Sequence, residues 1–180
     1  FDRIICDVPC SGDGTTRKNP SVWHRWSVEY GLEMHPLQLQ IALRGLALLK
    51  VGGLMAYSTC SLNPCENESV VAELLRRTRG SIELVDASDR LPQLQRSEGL
   101  STWVVLDDDM RYYETYDALR SSSLPAALKR RFLPSMWPPR PKNAAEALPL
   151  HRCLRLLPHL ADMGGFFVAL LRKVAPLPGP

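Results

Sequence analysis

Two apolar runs with a helix-period stretch between them restrict what this chain can fold into. Phe1-Asp2-Arg3-Ile4-Ile5-Cys6 and Gly52-Gly53-Leu54-Met55-Ala56-Tyr57 read as strands. From His35 to Lys50, Leu39, Leu43, Leu46 and Leu49 recur at helical spacing, and Gly52-Gly53 stops the helix before the second strand. The same rhythm continues: Asn67 is positioned to cap a helix reaching Arg77, with Val70, Val71, Leu74 and Leu75 facing the core, and Gly80 precedes a third strand at Ile82 to Val85. Near the carboxyl end, Cys153-Leu154-Arg155-Leu156-Leu157 and Gly165 to Leu171 read as a short and a strong strand that should pair as an antiparallel edge hairpin. Strands alternating with helices predict an α/β fold with a mainly parallel sheet.

With 180 residues, 45% of them hydrophobic, the chain can bury one core, so one domain over residues 1–175 is expected. Between 89 and 149 the periodicity fails and Pro134, Pro138, Pro139 and Pro141 gather, which predicts an irregular insertion; 176–180 reads as a tail. A net charge of +3 does not define a partner, although Arg17, Lys18 and Arg25 are close enough in sequence to form a cationic patch. No run of about 18 apolar residues is present to span a membrane, so no membrane partner is expected. Five cysteines at irregular spacing read as reduced thiols. Phe1 already stands inside a strand pattern, and the expectation is therefore a carboxyl-terminal part of a larger protein, with an N-terminal half of the same enzyme as its missing partner.

Each of the first two strands runs straight into a cysteine motif, Asp7-Val8-Pro9-Cys10 and Ser58-Thr59-Cys60-Ser61. If the strands are parallel neighbours, their carboxyl ends meet at one edge of the sheet, where open α/β folds bind ligands. Two thiols there permit a specific chemistry. A pyrimidine's carbon 5 is a poor nucleophile until a thiolate adds to carbon 6, and finishing the reaction requires a second ionisable group to remove the carbon 5 proton and let the thiol leave. Cys60 and Cys10 are the candidates, and Asp7 is placed to neutralise charge on ring nitrogen 3. Cys6 and Cys153 read as small buried hydrophobes. Neither Cys6 with Cys10 nor Cys60 with Cys65 has the spacing of a structural zinc site, so no metal is expected. Arg17 and Lys18 are candidate phosphate contacts, whereas Trp23 and Trp26 read as core rather than as stacking surfaces.

Asp7-Val8-Pro9-Cys10-Ser11-Gly12-Asp13-Gly14-Thr15 together with Tyr57-Ser58-Thr59-Cys60-Ser61-Leu62-Asn63-Pro64 resembles the Nop/Sun (RsmB-like) family of RNA cytosine-5 methyltransferases. Arg17-Lys18-Asn19, Trp23, Leu37-Gln38-Leu39-Gln40 and the late segments 152–159 and 164–169 are similar to its eukaryotic tRNA-methylating branch, Nsun-two. The resemblance runs to about Lys173. It implies the carboxyl-terminal half of a Rossmann-like class I methyltransferase fold, S-adenosyl-L-methionine as cofactor, RNA (tRNA) as substrate and the nucleus, nucleolus included, as location, with the cytoplasm as alternative. It also implies the roles of three residues: Cys60 the nucleophile, Cys10 the thiol that releases product, and Asp7 beside both cofactor and target base. The family's upstream Gly-rich loop, ribose-binding acid and catalytic lysine have no counterpart in these residues. Two rivals remain open: a non-catalytic RNA-binding or interaction fragment, and a DNA cytosine-5 methyltransferase, which would use Cys65 or Cys10 as nucleophile.

Overall fold

The computed structural model of the chain describes residues 1–143 and 147–179. The expected insertion at 89–149 and tail at 176–180 therefore each extend beyond the described residues. Strand β1 spans Arg3–Asp7, a one-turn helix α1 spans Val22–Arg25, and helix α2 runs from Val28 to Leu48. The long helix begins seven residues ahead of the expected His35. Ser27 caps it, accepting from the Tyr30 N–H at 3.1 Å, and Pro36 is accommodated within it. Strand β2 (Leu54–Thr59) follows, then helix α3 (Glu68–Thr78) and strand β3 (Ile82–Leu84).

β1 and β2 pair in parallel, from Arg3 beside Leu54 to Asp7 beside Ser58. After β3 come the short strands β4 (Ser97–Glu98), β5 (Val105–Leu106) and β6 (Tyr112–Tyr113), and the short helices α4 (Tyr116–Ser121) and α5 (Ala126–Lys129). β7 (Leu154–Leu156), helix α6 (Pro158–Ala161) and β8 (Phe166–Lys173) close the chain. The terminal hairpin forms as an antiparallel pair, but its long strand is not at the edge. β8 lies between β2 on one side and both β3 and β7 on the other, antiparallel to all three. Its eight residues let β3 pair with one end and β7 with the other. Strands β1, β2, β3 and β7 consequently share one direction, with β8 running against them.

Burial alternates along β8, with Phe167, Ala169, Leu171 and Lys173 turned inward. That face of the sheet, with Met55 and Tyr57, packs against Leu39, Ala42 and Leu46 of α2 and Val70, Val71 and Leu74 of α3. Lys173 is a buried cation whose Nζ donates to the Leu46 and Leu49 carbonyls at 2.8 Å each, so it terminates α2 where the helix leaves its last carbonyls unpaired. The segment after β3 carries a second core. Val105, Leu119, Phe132, Met136 and Trp137 collect there around Leu32 of α2 and Cys65, so the proline-rich region is packed through its side chains although its regular elements are short.

Candidate active site

Past the β1–β2 ladder, the Val8 N–H still donates to the Ser58 carbonyl at 3.1 Å, so both chains leave the sheet at the same level. Pro9-Cys10 and Thr59-Cys60 then bring two sulfurs together. Cys10 Sγ and Cys60 Sγ are 3.2 Å apart across a separation of 50 residues, and both thiols are partly exposed. Asp7, beside them at the strand end, accepts from Ser58 Oγ through Oδ1 at 2.9 Å; its Oδ2 has no hydrogen bond among the described residues. The structure thus assembles Asp7, Cys10 and Cys60 at one edge of the sheet.

Polar side chains below the thiols hold both loops. Glu66 is fully buried and accepts at Oε1 from the Ser11 N–H (2.7 Å) and Gln38 Nε2 (3.2 Å), and at Oε2 from the Ser11 and Ser61 hydroxyls (2.5 and 2.8 Å). One carboxylate therefore ties the residue after Cys10 to the residue after Cys60. Burial pushes its pKa up while the hydroxyls and the Ser11 N–H pull it down. Asn67, expected to cap α3, spends its side chain on the cysteine loop instead, accepting from Thr59 Oγ1 at 2.6 Å and donating to the Ser61 carbonyl at 2.9 Å. Asp13 reaches across to accept from the Leu62 N–H at 2.8 Å. Gly14 donates to the Cys60 carbonyl at 3.0 Å and accepts from the Gly165 N–H at 2.7 Å, so three backbones meet where a side chain would not fit. Beneath this, Arg155 of β7 grips Glu68 with two bonds of 2.5 and 2.8 Å and donates to the Leu62 carbonyl at 3.0 Å, anchoring the same loop to the hairpin.

The thiols differ sharply in acidity. The hydrogen bond from Cys10 lowers the Cys60 thiol to about 7 against the resistance of burial, and the same contact, with desolvation, raises Cys10 far above the ordinary thiol range. The two thiols titrate as a pair and their shifts run in opposite directions, Cys60 toward the thiolate and Cys10 away from it. The other cysteines do not share this environment. Cys65 is 4% exposed and burial pushes its thiol up to about 12, while Cys6 and Cys153 are buried in the core with raised values. Among the described residues no group of His, Cys, Asp or Glu could hold a metal ion.

Around the thiols, the cationic residues diverge. Arg17 is engaged with Asp162 at 2.5 Å in an exposed ion pair, and Lys18 is exposed. Trp23 and Trp26, read from sequence as core, are surface residues, 77% and 39% exposed. The one-turn helix α1 turns only Val22 inward, so its remaining side chains have no interior to enter. A cleft of about 430 Å³ opens there, lined by Cys10, Ser11, Thr15, Arg25, Trp26 and Tyr30 among others. A larger cleft, about 750 Å³ between α3 and the Pro134–Pro141 strap, contains no thiol. Glu66 and Tyr30 did not stand out in the sequence, whereas Arg25 figures there only as part of a cationic patch and Trp26 reads as core. The one available signal was the run Glu66-Asn67-Glu68, acidic residues at a helix start where a solvated cap is the ordinary reading.

The open sheet, with its reversed strand beside β2 and its reactive edge at the ends of β1 and β2, defines the class: this is a Rossmann-like methyltransferase fold. The chain belongs to the 16S rRNA methyltransferase RsmB/F family, whose model matches residues 1–172. Among similar curated proteins are the multisite-specific tRNA:(cytosine-C(5))-methyltransferase trm4b of Schizosaccharomyces pombe, 50% identical over 98% of this chain and 25% of its own length, and the tRNA (cytosine(34)-C(5))-methyltransferase of Drosophila melanogaster, 43% identical over 96% and 22%. The chain thus spans about a quarter of the length of these relatives. Among solved structures, a methyltransferase homolog protein from Pyrococcus horikoshii aligns with TM-score 0.54 and 25% identity over 96% of this chain and 39% of that one. NSun6 from the same organism, solved with SFG, aligns with TM-score 0.52 and 20% identity over 94% and 29%. No described helix is long and apolar enough to cross a membrane.

Proposed function

We propose that this chain is the carboxyl-terminal, thiol-bearing part of an S-adenosylmethionine-dependent RNA cytosine-5 methyltransferase that acts on tRNA. The observation that carries the reading is the 3.2 Å approach of Cys10 and Cys60, a contact that lowers the Cys60 thiol to about 7. Cys60, as thiolate, adds to carbon 6 of cytosine; the S–C6 bond forms, and electron density moves through carbon 5 while the Asp7 carboxyl hydrogen-bonds ring nitrogen 3. The cofactor, when bound, supplies the electrophilic methyl group that carbon 5 attacks. Once the Cys60 sulfur is bonded to carbon it no longer carries the charge that held the proton on Cys10. Cys10 then releases that proton to solvent and, as thiolate, removes the carbon 5 proton, so that the S–C6 bond breaks and Cys60 leaves with the electron pair.

Asp7 Oδ2, without a protein partner among the described residues, fits a donor on the cofactor, and Asp7 is the residue of this chain we assign to holding it. Support for tRNA comes from relatives at 43% and 50% identity that are named tRNA cytosine-C5 methyltransferases, and support for the cofactor from a neighbouring fold solved with SFG, an S-adenosylmethionine analogue. Exposed Lys18 and Arg17, whose surface pair with Asp162 is weak enough to exchange for phosphate, are proposed RNA contacts. A nuclear location is proposed on family grounds alone. A DNA methyltransferase using Cys65 is disfavoured, because that thiol is buried and raised to about 12. The test is release of tritium from [5-³H]cytidine in tRNA by the full-length enzyme with S-adenosylmethionine. Cofactor-dependent release is expected; none from tRNA, with release from DNA, would overturn the reading.

A further inference from the structure

We infer that Arg25, Trp26 and Tyr30 form the subsite for a nucleotide flanking the target cytosine in a single-stranded stretch of RNA, base on the rings and phosphate on the guanidinium. The inference rests on the methyltransferase reading above and extends it to the substrate's neighbouring residue. All three side chains line the same 430 Å³ cleft as Cys10, so a strand that delivers a base to the thiols passes over them. Trp26 and Tyr30 are 39% and 42% exposed, and neither packs against another ring or makes a side-chain hydrogen bond among the described residues. Large rings left open beside a reactive group are available for stacking, and unpaired bases stack on such rings irrespective of sequence.

Arg25 supplies the complementary charge. Its Nη2 donates to Ser21 Oγ at 3.1 Å, and Ser21 Oγ donates to Asn19 Oδ1 at 2.7 Å, so the side chain's partner is a neutral group. No carboxylate pairs with it among the described residues, whereas Arg17 is engaged with Asp162 and the nearby Glu29 is engaged with Arg131 at 2.5 Å. An unneutralised guanidinium next to two open rings matches the phosphate and base of one nucleotide.

The experiment is a double-mutant cycle between protein and RNA, in the full-length enzyme. Wild type and Trp26→Ala are assayed by methyl transfer on an RNA with an intact base, and on the same RNA with an abasic residue, on each side of the target cytidine in turn. Trp26→Ala should raise KM about tenfold with kcat nearly unchanged, the factor lost with one base–ring stack. On one of the two abasic RNAs the wild type should show the same rise and the variant almost no further one. Trp26→Phe should restore most of the affinity, and Arg25→Ala should raise KM and flatten its salt dependence. Additive effects at both positions, a loss in kcat alone, or tryptophan fluorescence from Trp26 that acrylamide cannot quench in the free enzyme would overturn the subsite while wild-type methylation stands. Absence of wild-type methylation would instead remove the reading on which it rests.

Discussion

The 3.2 Å contact between Cys10 and Cys60 makes the proposed division of labour, one thiol attacking the base and the other removing a proton from it once its own has gone, dependent on pH. The Cys60 thiol, lowered to about 7 by the Cys10 S–H, becomes thiolate as pH rises through that value. Covalent attachment to RNA should therefore slow about tenfold per unit below pH 7 and level off above it. Cys10→Ala removes the donor, so the inflection of attachment rate against pH should move up toward the ordinary thiol range near 8.5; an inflection that stays put would show that something other than Cys10 activates Cys60. Asp7, Cys10 and Cys60 were legible in sequence because each sits just past an apolar run, where a strand ends. Glu66 was not, because its function comes from the convergence of Ser11, Gln38 and Ser61 from distant points of the chain, which no local pattern records. The tryptophans misled for a related reason: their apolar character predicts burial, and only the fold shows that a one-turn helix offers them no interior.

Between elements, the site depends on a close approach of the Gly12–Thr15 loop, the Cys60 loop and the start of β8. A Cβ at Gly14 would come within 2.6 Å of the Gly165 carbonyl oxygen and 2.7 Å of the Cys60 carbonyl oxygen, both backbone atoms that cannot rotate away. Gly14→Ala should therefore move Cys60 relative to Cys10 and lower kcat at least about tenfold, with a stability loss of about 1–3 kcal/mol. Gly164→Ala is the control, since its Cβ would stand 3.6 Å from the nearest atom, the Gly14 oxygen, and steady-state kinetics should be unchanged. Strands β1, β2, β3, β7 and β8 and both long helices were readable from period and glycine stops, whereas β4, β5 and β6 fall where no period showed, and the parallel pairing of β1 with β2 follows from the helix between them. The position of β8 inside the sheet was not readable, because periodicity identifies a strand but not its neighbours. The second core was hidden too, being assembled from Val105, Leu119, Phe132, Met136 and Trp137 without any repeat.

Across the whole molecule, one face of the sheet is covered by α2 and α3 and the other is left half-open, with Ile5 84% exposed on β1 and Phe1 68% exposed beside it. Sheets with parallel strands are ordinarily covered on both faces, and Asp7 is the only described residue we assign to the cofactor. The 180 residues alone should then bind S-adenosylmethionine too weakly for calorimetry to detect at micromolar concentration, whereas the full-length enzyme binds it; micromolar binding by the chain alone would place the cofactor site within it. The central claim is that the fold brings two thiols of opposite duty together, one to make a bond to the base and one to let it break. Denaturing electrophoresis of the full-length variants incubated with tRNA and S-adenosylmethionine tests it most directly. Cys10→Ser should accumulate a protein–RNA band that survives denaturation, because Cys60 still attacks but elimination stalls, and Cys60→Ser should show neither band nor methylation, its hydroxyl not being ionised near neutral pH. A stable band from Cys60→Ser and none from Cys10→Ser would contradict the account.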